Sequence, residues 1–402
     1  MSRFALQMIA VVGGVIALLI VVLTFERPPV DSVQRGYRGL GMEELANPRL
    51  AAEKIAANTL PEASPPVEQA GQPASAVYSN LKVLGDVDAN EFLRLMADMT
   101  TWVAPAEESC NYCHNPDNLA DDSKYQFKVA RRMIEMTQHI NAGWKDHVAQ
   151  TGVTCYACHR GQPVPKNVWF NEPPANQPMG MLGNRAGQNL AATLVGETSL
   201  PTDILAPFFT GETNATDIRV ISRTALPNGN LTSIKQTEAT YGLMMHISQS
   251  LGVNCTFCHN TRSFFAWDQS TPQRTTAWYG VRMTRDINAN YLEPLKPLFP
   301  PHRLGPLGDV AKANCNTCHS GAFKPFYGKS LLSQFPALAG PTTAAQQPAA
   351  EQPAAPAQQP PAQPPATQPP ATQPPAAEQP PATQQPAPSA PPPATSPPSG
   401  SQ

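Results

Sequence analysis

The rhythm of hydrophobic and polar positions changes several times along the chain. From about Phe4 to Phe25 nearly every residue is apolar, close to the ~20 residues that carry a helix across a bilayer. The apolar core of a secretion signal is usually only about 7–15 residues long. Glu26-Arg27-Pro28-Pro29 follow where a small-residue cleavage site would stand. An uncleaved single-pass anchor over 1–25 is therefore expected, with a cleaved signal peptide as the alternative. Arg3 precedes the span, and the positive-inside bias keeps that end cytoplasmic and exports the rest. Apolar residues then recur at helical spacing in four places. These are Asp88–Val103 (Phe92, Leu95, Met96, Met99, Trp102, Val103), Lys124–Asn141 (Phe127, Met133, Ile134, Ile140), Thr237–Leu251 (Tyr241, Met244, Ile247, Leu251) and Gln273–Leu292. Each opens near a polar or Pro start signal.

The stretches between have no sustained period. Residues 26–85 are punctuated by Pro, Ala and Gly and read as an extended arm. Residues 161–234 are rich in Gly, Pro, Asn and Thr and read as an insert of loops with a few short strands. Residues 341–402 hold much of the chain's 46 Pro, mixed with Ala, Gln and Thr. Such a tail buries too little apolar surface to offset its ordering entropy and reads as a disordered or polyproline-like spacer. The formal net charge over 402 residues is −2, which leaves no nucleic-acid footprint.

Cysteine use supplies the chemistry. The eight Cys fall in four pairs, Cys110/Cys113, Cys155/Cys158, Cys255/Cys258 and Cys315/Cys318, and His114, His159, His259 and His319 follow them directly. Two thiols at this spacing reach the two vinyl groups of one haem, and the next imidazole is placed to ligate its iron. Cys-x-x-Cys pairs also build zinc centres. Four Cys-x-x-Cys-His motifs that use every Cys of an exported chain favour four covalent c-type haems, and no Cys is left for a disulfide or a redox pair.

The motifs group in two pairs. Thr151-Gly-Val-Thr-Cys155-Tyr-Ala-Cys158-His159 resembles Leu251-Gly-Val-Asn-Cys255-Thr-Phe-Cys258-His259, and Met136-Thr-Gln-His-Ile140-Asn-Ala142 resembles Met283-Thr-Arg-Asp-Ile287-Asn-Ala289. A mainly α multihaem cytochrome is expected, with little β structure, long loops, an N-terminal transmembrane helix and two pseudo-repeated haem-pair halves, 86–160 and 235–340. A sixth ligand is wanted at each iron, and Met raises haem potential relative to His. Met96 or Met99 precedes His114, Met133 or Met136 precedes His159, and Met244 or Met245 precedes His259; spacing does not choose within a pair. Before His319 the counterpart of Met133 is Gly280. Among His139, His147, His246 and His302, His147 is the best placed to serve there, with Met283 next. On a continuous helix His147 would stand roughly 21 Å beyond Met133, on nearly the same face; Gly143 is where such a helix would break.

Long segments of this chain resemble the tetrahaem cytochrome subunit of the purple-bacterial photosynthetic reaction centre. They run from Gly36-Tyr-Arg-Gly-Leu-Gly-Met42 to about Tyr327 and include Val129-Ala-Arg-Arg-Met133, His147-Val-Ala-Gln-Thr-Gly-Val-Thr-Cys155, Tyr241-Gly-Leu-Met244-Met245 and Thr271-Pro-Gln-Arg274. The resemblance implies Met96, Met133, Met244 and His147 as the sixth ligands. It implies a near-linear haem row, with the third haem nearest the bacteriochlorophyll special pair and the first farthest. It implies re-reduction of that pair with electrons from a soluble cytochrome c2-type protein or a high-potential iron–sulfur protein. The implied partners are the reaction-centre L, M and H subunits inside the light-harvesting 1 complex, in the photosynthetic inner membrane, with the haem region in the periplasm. Many members of the family are lipidated on an N-terminal Cys; no Cys stands near this N-terminus, so the chain's own helix is expected to anchor it. Glu107, Glu108, Asp117, Asp121 and Asp122 around the first motif suggest a negative patch that steers a basic donor. A carrier of anaerobic respiration would instead need a spare His for most of its haems, and a multihaem reductase would need an iron with an open position.

Overall fold

A computed structural model describes residues 2–25, 31–33, 44–173, 199–211, 218–220 and 234–340. The first helix, α1 (Arg3–Thr24), starts at Ser2, whose hydroxyl accepts from the Ala5 N–H at 3.2 Å. None of its residues is buried. It is the one helix among the described residues that is long and apolar enough to cross a membrane. Such a surface is costly in water and suits lipid.

The segment read as an extended arm holds more structure than expected. Asp31–Val33 pairs antiparallel with Glu44–Ala46, the only sheet among the described residues. A ten-residue helix follows, α2 (Pro48–Ala57). Asn47 caps it by accepting from the Arg49 N–H at 3.0 Å, and Pro48 takes the first helical turn, where a missing N–H costs nothing. A short turn, Ala74–Val77, comes next.

The four helices expected from apolar spacing are present as α3 (Ala89–Val103), α4 (Tyr125–Gly143), α5 (Ile234–Leu251) and α6 (Pro272–Ile287). Asp88 caps α3, and its carboxylate also accepts from the Gly71 N–H at 2.9 Å, tying the arm to the helix start. The apolar stripe of α3 buries Leu95, Met99 and Trp102 against Ile134, Leu331, Phe335 and Leu338. Trp102 meets Phe335 edge-on at 5.0 Å, a favoured geometry for aromatic rings. α5 and α6 enclose a second cluster with Trp169, Ile204, Leu205, Phe208 and Phe209 of the insert. A third cluster joins α4 to α6 through Ile140, Trp144, Met283 and Ile287.

The helix through Met133 breaks where the sequence placed a break: α4 ends at Gly143, Trp144 departs from helical geometry (φ −113°, ψ 37°), and a separate turn, Lys145–Val148, carries His147. One expectation is corrected. The insert shows no strand among its described residues; it contributes the short helix Ala206–Phe209 and a bridge between Trp169 and Lys312. The remaining residues of the insert, the Gly36–Met42 match and the tail from 341 lie outside the described residues.

Matching hydrogen bonds occur at positions that the sequence places in correspondence. Asn141 donates to the Val153 carbonyl at 2.9 Å and accepts from the Val153 N–H at 2.7 Å. Asn288 does the same with Ala313, at 2.9 and 2.8 Å. Val153 and Ala313 each stand two residues before the first Cys of a motif. The Gly161 N–H reaches the Trp102 carbonyl and the Gly321 N–H the Ser250 carbonyl, both at 2.8 Å. Each of these motifs is one helical turn, Cys155–His159 or Cys315–His319, closed by a left-handed residue, Arg160 or Ser320.

Asn141→Ala or Asn288→Ala removes both bonds to a buried peptide group. Each substitution is expected to cost roughly 3 kcal/mol, read as a lower midpoint in denaturant unfolding.

Candidate functional site

Each motif histidine is oriented by its own loop. Nδ1 of His114 meets the Leu119 carbonyl at 2.7 Å, His159 that of Gln162 at 2.8 Å, His259 that of Phe264 at 3.1 Å and His319 that of Ala322 at 2.9 Å. His147 repeats the pattern on the Thr276 carbonyl at 2.9 Å. A carbonyl can only accept, so Nδ1 carries the proton and Nε2 keeps its lone pair. This is how proteins commonly fix a metal-ligating imidazole. The other histidines differ. His139 puts Nε2 2.5 Å from Asp286, the Ser250 hydroxyl lies 3.4 Å from Nε2 of His246, and His302 sits on an exposed turn. Burial holds the pKa of His147, His159 and His259 below the ordinary imidazole value and takes His319 down to about 4. All are neutral, as an iron ligand must be. Burial also pushes the thiols of Cys113, Cys155 and Cys258 up to about 11 and Cys315 up to about 12.

The second motif opens on a cleft between α3 and α4. Cys155, Cys158 and His159 line it, with Met133 and Met136 of α4 among the other residues. Met99 lines the same cleft, so this methionine of α3 faces the second motif. Thiols, imidazole and thioether in one mostly apolar cleft fit a covalently held haem. Met96 and Met244 are half-buried on α3 and α5, and Met244 packs against the Leu243–Ile247 cluster. Met283 is buried in the cluster between α4 and α6.

The fourth motif shows why a glycine stands at 280. A Cβ on Gly280 would lie 2.5 Å from Cε1 of His147 and 2.8 Å from its Nδ1, so the missing side chain is the slot that admits the imidazole. The rings of His147 and His319 are 6.0 Å apart between centroids. Metal–imidazole bonds of about 2 Å, with each ring centre about 1 Å behind its nitrogen, call for about 6 Å. The pair therefore fits one iron held between two imidazoles.

Contacts between motifs set a spatial order that differs from the chain order. Tyr112 and Cys113 of the first motif line the cleft of the second. The Cys158 and Cys318 sulfurs are 2.6 Å apart, and Arg160 donates to the Cys318 carbonyl at 3.2 Å, joining the second to the fourth. Phe257 of the third motif and Phe323 beside the fourth have ring centres 6.0 Å apart. Gly252, just before the third motif, has its Cβ position blocked by the Gly321 carbonyl. The order is first, second, fourth, third. Cys110 and Cys255, at its two ends, are exposed, whereas Cys155 and His319 in its middle are buried. α2 covers the central joint through Asn58, which donates to the Ser320 carbonyl and accepts from Arg160.

The two ends differ chemically. Glu107, Glu108 and Asp117 are exposed near the first motif. Asp121 is committed to Asn115 and Ser123, and Asp122 pairs with Arg131 at 3.2 Å, so only part of the acidic group seen in sequence faces outward. Beyond the third motif Phe264 and Phe265 are exposed, at 47% and 65%.

The sequence model of the photosynthetic reaction centre cytochrome C subunit matches residues 26–339. The chain belongs to this family. It is 56% identical to the photosynthetic reaction center cytochrome c subunit of Rubrivivax gelatinosus over 321 residues, covering 80% of this chain and 86% of the relative. It is 47% identical to that of Thermochromatium tepidum over 332 residues, covering 83% and 81%, and 43% identical to that of Roseobacter denitrificans over 321 residues, covering 77% and 85%. As a reaction centre cytochrome c subunit it carries covalent haem c, serves electron transfer in photosynthesis as a carrier and associates with the reaction centre complex. Its apolar α1 fits a membrane anchor.

Gly280→Ala closes the slot for His147. The expected outcome is a change in one low-spin haem signal of the electron paramagnetic resonance spectrum, with the other haem signals retained.

Proposed function

We propose that this reaction centre cytochrome c subunit holds four haems and relays electrons from a soluble periplasmic carrier to the photo-oxidised special pair. The observation that carries this reading is the common orientation of five imidazoles, each with Nδ1 on a backbone carbonyl and Nε2 left for iron. Cys110/Cys113, Cys155/Cys158, Cys255/Cys258 and Cys315/Cys318 hold the porphyrins. The residues that would hold the irons are His114 with Met96, His159 with Met133, His259 with Met244 and His319 with His147. Bound haem supplies a reversible one-electron change at iron, and Met ligation sets it at higher potential than His ligation.

Two haem-pair halves, 86–160 and 235–340, arise from an internal repeat. The twin Asn141 and Asn288 clamps and the twin Gly161 and Gly321 contacts support it. α1 crosses the inner membrane once and leaves the haem region in the periplasm. Residues 26–85 form the arm, 161–234 the connecting insert and 341–402 a spacer. The end of the row at the third motif, with Phe264 and Phe265 exposed, faces the L and M subunits within a complex that also holds H and light-harvesting 1. The end at the first motif meets the donor, a basic cytochrome c2-type protein in preference to an iron–sulfur protein, because Glu107, Glu108 and Asp117 are exposed there.

A single flash given to the purified complex tests the relay. Haem oxidation is expected to rise as the special-pair bleaching recovers; a bleaching that recovers with no haem oxidised, or a complex without bacteriochlorophyll, sinks the reading. Reversing charge at Glu107 and Glu108 together is expected to slow donor encounter about tenfold at low salt and to flatten its ionic-strength dependence. An unchanged salt profile removes the patch from the donor site.

A further inference from the structure

The turn that carries His147 is fastened to α6 at two separate places. The ring end is held by the Thr276 carbonyl and the Gly280 slot. The root is Trp144. Its N–H closes α4 on the Ile140 carbonyl at 3.0 Å, and its carbonyl accepts from the N–H groups of His147 and Val148 at 2.9 and 3.0 Å. Whatever fixes Trp144 therefore fixes the start of the turn and the direction in which His147 leaves it. The Trp144 indole is 7% exposed, and its Nε1 donates to Oδ2 of Asp286 at 2.8 Å. Asp286 lies ten residues beyond Thr276 on the same helix, about 15 Å along its axis. Two attachments that far apart on one rigid helix stop the turn from pivoting.

Asp286 is itself well held. Asn290 donates to its Oδ1 at 2.7 Å, and Nε2 of His139 lies 2.5 Å from its Oδ2. Burial works to raise its pKa, and the bonds from His139, Asn290 and Trp144 outweigh that and hold it low. His139 occupies the place in α4 that Asp286 occupies in α6, and Trp144 matches Tyr291. His139 packs against Tyr291 at a tilt, with ring centres 5.1 Å apart, while Asp286 takes Trp144. The four side chains thus exchange contacts across the junction of α4 and α6, as self-complementary interfaces do.

We infer that Asp286 is a positioning residue for the sixth ligand at His319, acting through Trp144 to aim His147. The inference rests on His147 being that ligand. The Asp286 carboxylate bonds to His139, Trp144 and Asn290, none of them an assigned ligand, so its loss leaves every ligand in the chain and loosens only the aim of one.

The test uses the full chain in its complex. Asp286→Ala is expected to shift the equilibrium between bound and released His147 by roughly tenfold or more toward release, the effect of one lost hydrogen bond to a buried charge. Carbon monoxide then binds one haem of the reduced protein, and the bis-imidazole resonance signal weakens. The Met-to-iron charge-transfer band of the other haems stays constant. Trp144→Phe, which keeps an aromatic ring and removes the N–H, shifts the same signals the same way, and Asp286→Asn, which keeps an accepting oxygen, restores them. Native bis-imidazole signals in both Asp286→Ala and Trp144→Phe overturn the inference. So does an effect in Asp286→Ala alone, which removes Trp144 from the path, or a loss of all haem signals together in Trp144→Phe, which marks a general structural role. His147→Ala run in parallel separates the premise: if the bis-imidazole signal survives it, the ligand assignment fails, whatever Asp286 does.

Discussion

A ring nitrogen that donates a proton to a carbonyl cannot also bind a metal, and the rest of this molecule is arranged around that exclusion. Five imidazoles give Nδ1 to the backbone. For the four motif histidines the accepting carbonyl lies three to five residues further along the same loop, so the loop that follows each motif sets the ring plane. His147 borrows its carbonyl from α6, more than a hundred residues away. Its orientation is a tertiary property, whereas that of His114, His159, His259 and His319 is local. The helices supply what the loops cannot, a second wall carrying sulfur or, at Gly280, an opening.

The positions where α4 and α6 correspond show how one scaffold yields two kinds of site. Thr137 bonds the Met133 carbonyl and Thr284 the Gly280 carbonyl, both at 2.9 Å, so the two backbones follow the same path. The side chain differs: Met133 projects a thioether into its cleft, and Gly280 projects nothing and receives an imidazole from the facing segment. The absent side chain at Gly280 thus leaves room beside the fourth motif for an imidazole from the turn after α4.

Much of this was legible in sequence. The four long helices followed from apolar spacing and start signals, because burial of one face is what holds them. The pairing of Asn141 with Asn288 stood within the matched segments, and the vacancy at Gly280 was visible as a missing methionine. The start of α2 was also present, in Asn47-Pro48, but was obscured by the Pro and Ala around it. Other features left no pattern. The contact of Trp144 with Asp286 joins residues 142 apart in sequence. The carbonyl partners of the histidines carry no side-chain signature. The proximity of Cys158 to Cys318, 160 apart in sequence, is set by tertiary packing. Five acidic residues near the first motif looked alike in sequence, yet Asp121 and Asp122 prove to be spoken for.

The spatial order of the motifs has a consequence for making the protein. Synthesis delivers the first, second and third motifs before the fourth, but the fourth sits between the second and the third. Until Cys315–His319 emerges, the chain has the first, second and third motifs, with a gap between the second and the third. A product cut short before Cys315 would not be a shorter row of motifs but an interrupted one, and His147 would have its carbonyl and its slot and no imidazole across from it.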